Sequence, residues 1–243
     1  QRMHEGALRF GATERIADVE KVKAGGADGF VLHTTGGKIE ARSVIVATGA
    51  RHRALGVPGE KEFESRGVSY CAVCDGPFYE GSHVVVVGGG DAALQEAIYL
   101  SEYASSVTVV HRRQEFRASG AVQERARRNP KLRFALGRVV EEIHGDDNGV
   151  QEVVVKEVGS GKLETLTAEG IFVYVGTEPS TEFLRGVLPW ADNGYVVTDD
   201  RMRTRVRGLF AAGDVRAKAV RQIATAVGEG AEAGLAVVEL LRE

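Results

Sequence analysis

The stretch Val84–Ala97 decides the fold, and it reads VVVVGGGDAALQEA. Four valines in a row predict a buried strand, the three glycines predict a loop, and the alanine-rich segment after them predicts a helix. The loop has the order G-x-G-x-x-A, in which the first glycine permits a tight turn and the second lets a pyrophosphate approach the backbone. The alanine allows close helix packing, and free N–H groups in the first helical turn attract phosphate. The residues expected at a dinucleotide are Gly88, Gly90, Asp91, Ala92 and Ala93.

A second match to this order, GEGAEA at Gly228–Ala233, is not interpreted as a cofactor loop. It lies inside a helical pattern rather than between a strand and a helix, which is the context that the motif requires. We therefore attribute its glycines to close packing of that helix.

The pattern around the first loop predicts a βαβ unit followed by a row of strands. Helices are predicted at Gln1–Phe10, Asp91–Tyr103, Gly120–Arg128 and Ala219–Leu241. Strands are predicted at Thr13–Val22, Phe30–Thr35, Ile39–Ala47, Val84–Val87, Val107–Val110, Leu132–Ile143, Val150–Val158, Lys162–Leu166, Ile171–Val175 and Leu209–Ala212. The middle of the chain, residues 53–178, is therefore expected to form an α/β domain. It is inserted into a second domain built from residues 1–52 and 179–243.

A basic run follows the second strand of the predicted βαβ unit. Dinucleotide-binding domains contact the adenosine ribose about 20 residues past the glycine loop, with an acid for NAD or an arginine for the 2′-phosphate of NADP. This position holds His111, Arg112 and Arg113, with Arg117 shortly after. The planar guanidinium group binds phosphate oxygens in pairs. We therefore predict a preference for NADPH over NADH; the competing interpretation is a solvated basic run at the start of a helix.

The chain has two cysteines, Cys71 and Cys74, in the order Cys-Ala-Val-Cys and followed by Asp75. Three interpretations compete. A zinc site would need two more ligands at a recognisable spacing, and two inert thiols would meet at this spacing only by chance. A dithiol–disulfide couple uses both sulfurs, because one attacks a partner disulfide and the other resolves the product. We favour the couple, with Asp75 either as a proton relay or as a turn-forming residue.

Composition argues against several other classes of protein. The 243 residues include 31 basic and 34 acidic side chains, a formal net charge of -3, so no general attraction to nucleic acid is expected. The apolar runs fall far short of the roughly 20 residues that span a bilayer. Two cysteines are too few for a disulfide scaffold, which favours a reducing, cytoplasmic setting. We expect no metal site, no membrane association and no nucleic-acid partner.

Hydride transfer from NADPH does not connect directly with thiol chemistry, and soluble enzymes usually join the two through a flavin. With these features together, the chain resembles the bacterial-type, low-molecular-weight thioredoxin reductases over essentially all of its length. The segments that carry the resemblance are Ala47–Ala50, Cys71–Gly76, Gly88–Ala93, His111–Arg113, Phe116–Arg117, Gly208–Asp214 and Arg221–Gln222.

This resemblance implies an α/β protein with two Rossmann-like dinucleotide-binding domains, the NADPH domain being inserted into the FAD domain. It implies FAD and NADPH as cofactors, thioredoxin or a thioredoxin-like protein as partner, and a homodimer. Cys71 and Cys74 are then the redox couple, Asp75 is its acid, and the basic run holds the 2′-phosphate. The residues implied at FAD are Thr48, Gly49, Gly213, Asp214, Arg221, Gln222 and Ile223.

The FAD-binding strand–loop–helix of this family has no counterpart in the sequence. We therefore expect an N-terminally incomplete FAD domain that lacks its first βαβ unit and holds FAD poorly. Two alternatives to a thioredoxin reductase stay open. One is an NADP-binding fragment or a thiol-bearing redox sensor without turnover. The other is the reductase of a peroxiredoxin system, which normally lacks the His-Arg-Arg run.

Overall fold

The computed structural model describes residues 2–25, 29–188 and 194–242. Its internal contacts divide the chain into two compact units, the first being Gln1–Arg51 with Glu178–Glu243 and the second His52–Thr177. These boundaries lie one residue from the expected ones, and the cofactor that each unit holds stays a prediction. In the described part of the chain, no helix combines the length and the apolar character that crossing a membrane requires.

The first unit combines helices and strands from both ends of the chain. It contains helix α1 (Arg2–Arg9) and the antiparallel strands β1 (Val19–Ala24), β2 (Phe30–Thr34) and β3 (Gly37–Ala41). It also contains β4 (Val44–Val46), which pairs in parallel with β15 (Leu209–Ala211), and helix α5 (Ile223–Arg242). Phe30, Val46 and Leu209 lie in its buried core. The helix predicted at Gln1–Phe10 is confirmed from Arg2 to Arg9, and Gln1 lies outside the described residues.

The second unit is built on a five-stranded parallel sheet. In their order across the sheet, its strands are β6 (Val68–Ser69), β13 (Gly170–Val173), β7 (His83–Val87), β8 (Ser106–His111) and β9 (Leu132–Leu136). Its helices are α2 (Ala72–Asp75), α3 (Asp91–Leu100) and α4 (Gly120–Arg128). A second, antiparallel sheet is formed by β10 (Arg138–Asp146), β11 (Gly149–Glu157) and β12 (Leu163–Thr167). A separate pair consists of β5 (Ala50–His52) and β14 (Thr177–Pro179).

The valine run explains how the parallel sheet is covered on both faces. Val84 and Val86 belong to the core that α3 and α4 cover. Val85 and Val87 point to the opposite face and belong to the core that includes Ile143 of β10. A strand that is buried on both sides needs a continuous apolar run rather than an alternating one. The predicted βαβ unit and its glycine loop are therefore confirmed.

Three predicted strands are wrong in their extent. The strand expected at Thr13–Val22 begins only at Val19, and Ile16 before it is almost fully exposed. The strand expected at Ile39–Ala47 is two strands, β3 and β4, which belong to different sheets. The strand expected at Leu132–Ile143 is also two strands in different sheets, because Gly137 adopts a φ of +65° and breaks the run between β9 and β10.

The bounds of two predicted helices and the packing predicted for one of them also need correction. Helix α3 ends at Leu100 rather than Tyr103, and α5 begins at Ile223 rather than Ala219. The close packing expected at the second glycine motif is wrong. A Cβ added to Gly228 or Gly230 would meet nothing within 4 Å among the described residues.

Candidate active site

The two cysteines lie at the start of α2, directly after β6. Cys71 and Cys74 form a disulfide, with their Cα atoms 5.3 Å apart. The Cys74 backbone N–H donates to the Cys71 Sγ at 3.2 Å, so that Cys71 caps the helix. Each sulfur is bonded to the other, and this form is not the pair of thiolates that a zinc ion needs. In the described residues, no cluster of three or more His, Cys, Asp or Glu side chains could hold a metal ion.

Contacts from the parallel sheet and from α3 fix the position of α2. The backbone N–H of Ala72 donates to the Tyr174 hydroxyl at 2.7 Å, which satisfies a donor that the first helical turn leaves free. Gly76 follows the helix, and a Cβ there would lie 3.2 Å from Leu100 and 3.4 Å from Tyr99. The disulfide is therefore carried by a short helix that is held at both ends.

Asp75 lies in the same turn as the disulfide. Its backbone N–H donates to the Cys71 carbonyl at 3.1 Å, and its Oδ2 accepts a hydrogen bond from the Ser69 hydroxyl at 2.6 Å. Burial, and next the Asp75 charge, raise the pKa of Tyr79 nearby. A carboxylate that is held by Ser69 thus belongs to the same turn as the disulfide.

The glycine loop between β7 and α3 is tightly packed at one end and open at the other. At Gly88 an added Cβ would lie 2.6 Å from the Tyr174 carbonyl oxygen and 2.7 Å from the Ala93 Cβ, and φ is +154°. Gly90 caps α3, and a Cβ there would meet nothing within 4 Å. The first glycine thus serves packing, whereas the second leaves its backbone accessible to a ligand.

A cavity of about 370 Å³ lies at the carboxyl ends of β7 and β8. In open parallel sheets this edge is where dinucleotides bind. Of the predicted residues, those that line it are Gly88, His111, Arg112 and Arg117. Those that do not line it are Gly90, Asp91, Ala92, Ala93 and Arg113. Residues that the sequence did not predict and that also line it include Arg53, Leu55, Arg138 and Tyr174.

The His111 ring lines this cavity. The ring stacks on Phe116 at 5.6 Å between centroids, and a Cβ added to Gly89 would lie 2.3 Å from it. Burial lowers the pKa of His111, and the nearby Arg117 adds to this effect. Its Nε2 is buried without a hydrogen-bond partner in the described residues. An unsatisfied buried nitrogen beside two cavity-lining arginines fits a phosphorylated nucleotide.

Two predicted residues have structural contacts instead. The Asp91 carboxylate accepts the Ser119 backbone N–H at 2.9 Å and the Ser119 hydroxyl at 2.8 Å, and these bonds lower its pKa. Asp91 therefore links the first turn of α3 to the N-cap of α4. The carbonyl of Arg113 accepts the Gly137 N–H at 3.0 Å, which directs this part of the basic run toward the end of β9.

A buried carboxylate, which sequence reasoning missed, supports the cavity wall. The two oxygens of Glu60 accept the backbone N–H groups of Leu55 and Gly56, each at 2.8 Å. The Tyr70 hydroxyl donates to the same carboxylate at 3.0 Å. Burial, followed by the contact with Glu60, raises the pKa of Tyr70 to about 12. Nothing in the local sequence marks Glu60, whereas Tyr174 could have been found because it directly follows β13.

In the first unit, the predicted FAD residues follow two paired parallel strands. Thr48 and Gly49 come after β4, and Gly213 and Asp214 come after β15. The Thr48 hydroxyl donates to the Ser180 carbonyl at 2.6 Å. Gly49 and Gly213 adopt φ values of +69° and +78°, which glycine adopts without strain. Since the carboxyl ends of parallel strands share one edge, the structure brings these four residues together.

A buried ionic network holds the Gly213 turn. Glu229 of α5 accepts the Gly213 backbone N–H at 2.7 Å. The same carboxylate pairs with Arg216 at 2.7 Å and with Lys218 at 3.2 Å, and all three side chains are at most 15% exposed. Lys218 also lies 3.3 Å from the Asp214 Oδ1. Sequence reasoning missed this network, because Glu229 occupies an ordinary position in a helix.

The remaining predicted FAD residues lie around the start of α5. The Arg221 guanidinium lies 4.3 Å from the centre of the Tyr195 ring, Gln222 is exposed, and Ile223 is 84% exposed. The Asp214 Oδ1 lies at ion-pair distance from Lys218, whereas the Arg221 Nε is a buried donor without a hydrogen bond among the described residues. Such a donor fits a cofactor such as FAD, which carries carbonyl groups.

Known proteins resemble this chain over nearly its full length. Residues 6–230 match the family described as pyridine nucleotide-disulphide oxidoreductase. The thioredoxin reductase of Listeria innocua is 46% identical over 234 residues, or 96% of this chain and 73% of that protein. That of Bacillus subtilis is 42% identical over 242 residues, or 100% and 76%. The solved thioredoxin reductase of Streptococcus pyogenes is 45% identical, with a TM-score of 0.92 over 99% of this chain and 78% of that one.

Proposed function

The chain belongs to the thioredoxin reductases of the pyridine nucleotide-disulphide oxidoreductase family, and we propose that it reduces the disulfide of thioredoxin with electrons from NADPH. This membership confirms the family and the α/β fold that the sequence predicted, and with them the use of FAD and NADPH. The observation that carries the proposal is the disulfide between Cys71 and Cys74. It lies in the same compact unit as the cavity that Arg112 and Arg117 line.

The residues of the cavity bind and orient the nucleotide. Arg112 and Arg117 hold the 2′-phosphate, and the neutral His111 offers a hydrogen bond without adding charge. Gly90 lets the pyrophosphate approach the backbone at the start of α3. In the first unit, the residues assigned to FAD are Thr48, Gly49, Gly213, Asp214, Arg221, Gln222 and Ile223. Bound by these residues, FAD would supply the two-electron chemistry that connects a hydride donor with a disulfide.

The reduced cysteines then react with thioredoxin by thiol–disulfide exchange. One thiolate attacks a sulfur of the thioredoxin disulfide, a mixed disulfide forms, and the other thioredoxin sulfur leaves as a thiolate. The second cysteine then attacks the enzyme sulfur of the mixed disulfide, which restores the Cys71–Cys74 bond and releases the thioredoxin sulfur that was attacked first. Asp75 gives its proton to a departing thiolate and regains one from solvent. Two electrons and two protons thus reach thioredoxin in each cycle.

The proposal also includes the oligomeric state and the cellular location of the protein. We expect a homodimer, which the family resemblance implies and which the exposed apolar side chains of the first unit, such as Ile16 and Leu235, support. We expect a cytoplasmic location, which rests on the resemblance and on the small number of cysteines. Light scattering of the purified protein measures its oligomeric state.

Flavin absorbance tests the proposed activity directly. NADPH should bleach the flavin of the FAD-loaded protein, and oxidised thioredoxin should restore its colour. Changing Cys71 or Cys74 to Ser should leave the bleaching intact and slow the recovery by more than about 100-fold, because thiol exchange then lacks a partner sulfur. A protein that binds NADPH but takes up no flavin would instead favour the NADP-binding fragment. Recovery that is unchanged in both variants would contradict the proposal.

A further inference from the structure

Ser69, the last residue of β6, connects the backbone of the redox turn to the carboxylate of Asp75. Its hydroxyl donates to the Asp75 Oδ2 at 2.6 Å. The same oxygen accepts the backbone N–H of Cys71 at 3.1 Å. Ser69 is only 4% exposed, so that neither bond competes freely with water. A single buried hydroxyl therefore contacts both the first cysteine of the couple and the candidate acid.

A hydroxyl suits this position because Asp75 must gain and lose a proton. A hydroxyl carries one donor and two acceptor lone pairs, whereas a backbone N–H can only donate. It can donate to the ionised carboxylate and can accept from the protonated carboxyl group. One of its lone pairs is occupied by the Cys71 N–H, which leaves the other for this second role. The contact can thus hold Asp75 in one orientation throughout the proton cycle.

A polar cavity lies beside this contact and can hold water molecules, which supply protons. Its volume is about 360 Å³, and Ser69, Asp75, Tyr79 and Glu169 are among the residues that line it. Since a water molecule occupies about 30 Å³ in the liquid, the cavity has room for several. Asp75 can therefore recover a proton from water in this cavity.

We propose that Ser69 is a positioning residue for Asp75, which it holds at the angle needed to protonate the departing thiolate. The inference rests on the proposed role of Asp75 as the acid. In the step concerned, a thiolate of the reduced couple attacks one sulfur of a partner disulfide, and an S–S bond forms as the partner's S–S bond breaks. The leaving sulfur takes the electron pair and receives the proton of Asp75. Ser69 itself gains and loses nothing.

Two small disulfides with different leaving groups provide the test. The full chain is reduced with dithiothreitol, freed of reductant and mixed with either bis(2-hydroxyethyl) disulfide or an aromatic disulfide such as 5,5′-dithiobis(2-nitrobenzoate). The aliphatic thiolate is a poor leaving group that benefits from an acid, whereas the aromatic thiolate leaves without one. Ser69→Ala should slow exchange with the aliphatic disulfide about tenfold and leave the aromatic rate within about twofold. No flavin is needed for either measurement.

Matched variants separate the possible causes. Ser65→Ala removes a hydroxyl from the lining of the same cavity and should change neither rate. Ser69→Thr and Ser69→Val have nearly the same shape, and only the threonine variant should keep the wild-type ratio of the two rates. The comparison of Ser69→Thr with Ser69→Val tests the role of the hydroxyl even where the alanine variant folds poorly.

The outcomes also distinguish the two proposals. Asp75→Asn should reproduce the selective loss with the aliphatic disulfide, by about 100-fold. If Asp75→Asn changes neither rate, the proposed acid is wrong. If Asp75→Asn slows the aliphatic exchange but Ser69→Val matches Ser69→Thr, the acid stands and the role of Ser69 is refuted. Equal slowing of both disulfides by Ser69→Ala and Ser69→Val would also refute it, because that pattern indicates general damage to the redox turn.

Discussion

The nucleotide cavity of the second unit and the Gly213 turn of the first unit both lie at the carboxyl ends of parallel strands, yet different forces hold them. Around the cavity, shape is set by the absence of side chains, since a Cβ at Gly88 or Gly89 would overlap its neighbours. At the turn, shape is set by buried charge, since Glu229 binds the Gly213 N–H and pairs with two cations.

This difference explains why the spacing of neighbouring residues predicted the cavity, whereas the Gly213 turn was predicted only through the family resemblance and its ionic network was missed. A steric requirement restricts nearby positions to glycine or alanine and therefore leaves a motif of fixed spacing. An ionic network requires only one carboxylate within reach, and Glu229 is 16 positions away from the backbone N–H that it binds. The two sites should consequently respond differently to substitution, and the following variants test that expectation.

The largest effect is expected from Glu229→Gln. The variant leaves Arg216 and Lys218 buried with no carboxylate between them, and breaking a buried pair in this way costs about 3–5 kcal/mol. Urea unfolding measures the loss in the free energy of unfolding. Glu232→Gln is the matched control, because Glu232 lies on the same helix in a more exposed pair with Arg201 and should cost less than about 1 kcal/mol. Equal losses would mean that the network does not hold the turn.

A smaller loss is expected when the glycine loop gains a methyl group at its packed end. Gly88→Ala should lower the free energy of unfolding by about 2–3 kcal/mol, because the Cβ would overlap both Tyr174 and Ala93. Gly90→Ala has open space around its Cβ and should cost less than about 1 kcal/mol while weakening NADPH binding. If both variants proved equally unstable, the distinction between the packed and the open end of the loop would be wrong.

The charged side chains of the cavity should affect affinity without affecting stability. Arg112→Ala and Arg117→Ala should each weaken NADPH binding about tenfold and leave NADH binding nearly unchanged, since only NADPH carries the 2′-phosphate. Arg113→Ala is the control, because Arg113 belongs to the same run but does not line the cavity. Titration calorimetry with both nucleotides gives the comparison. A similar loss for NADH would refute the assignment to the 2′-phosphate.

The smallest effect concerns acid stability through His111. Burial lowers its pKa in the folded state below the usual value near 6.5. As the pH falls below about 6.5, the unfolded chain gains a proton that the folded chain does not, so stability declines until the pH reaches the lower, folded-state pKa. His111→Asn should reduce this decline. Melting temperatures between neutral and mildly acidic pH give the slopes, and identical slopes for wild type and His111→Asn would contradict the prediction.

The parts of the molecule that could be predicted are those encoded by neighbouring residues. The βαβ unit follows from the valine run and the glycines beside it. Both ends of α4 were predicted correctly, because its sequence pattern is local. The strand predicted at Ile39–Ala47 failed because apolar alternation does not show which sheet a strand joins, and β3 and β4 join different ones. Glu60 was missed as part of the site because its contacts with Leu55 and Gly56 form only in the folded chain and nothing in the local sequence marks it.

The most direct test is to determine whether electrons from NADPH reduce the disulfide between Cys71 and Cys74. The FAD-loaded protein is treated with NADPH in the absence of oxygen and then alkylated, and the peptide containing Cys71 and Cys74 is weighed by mass spectrometry. We expect two alkyl groups on this peptide with NADPH and none without it, because electrons from the nucleotide open this disulfide. Reduced flavin together with an unmodified peptide would contradict it.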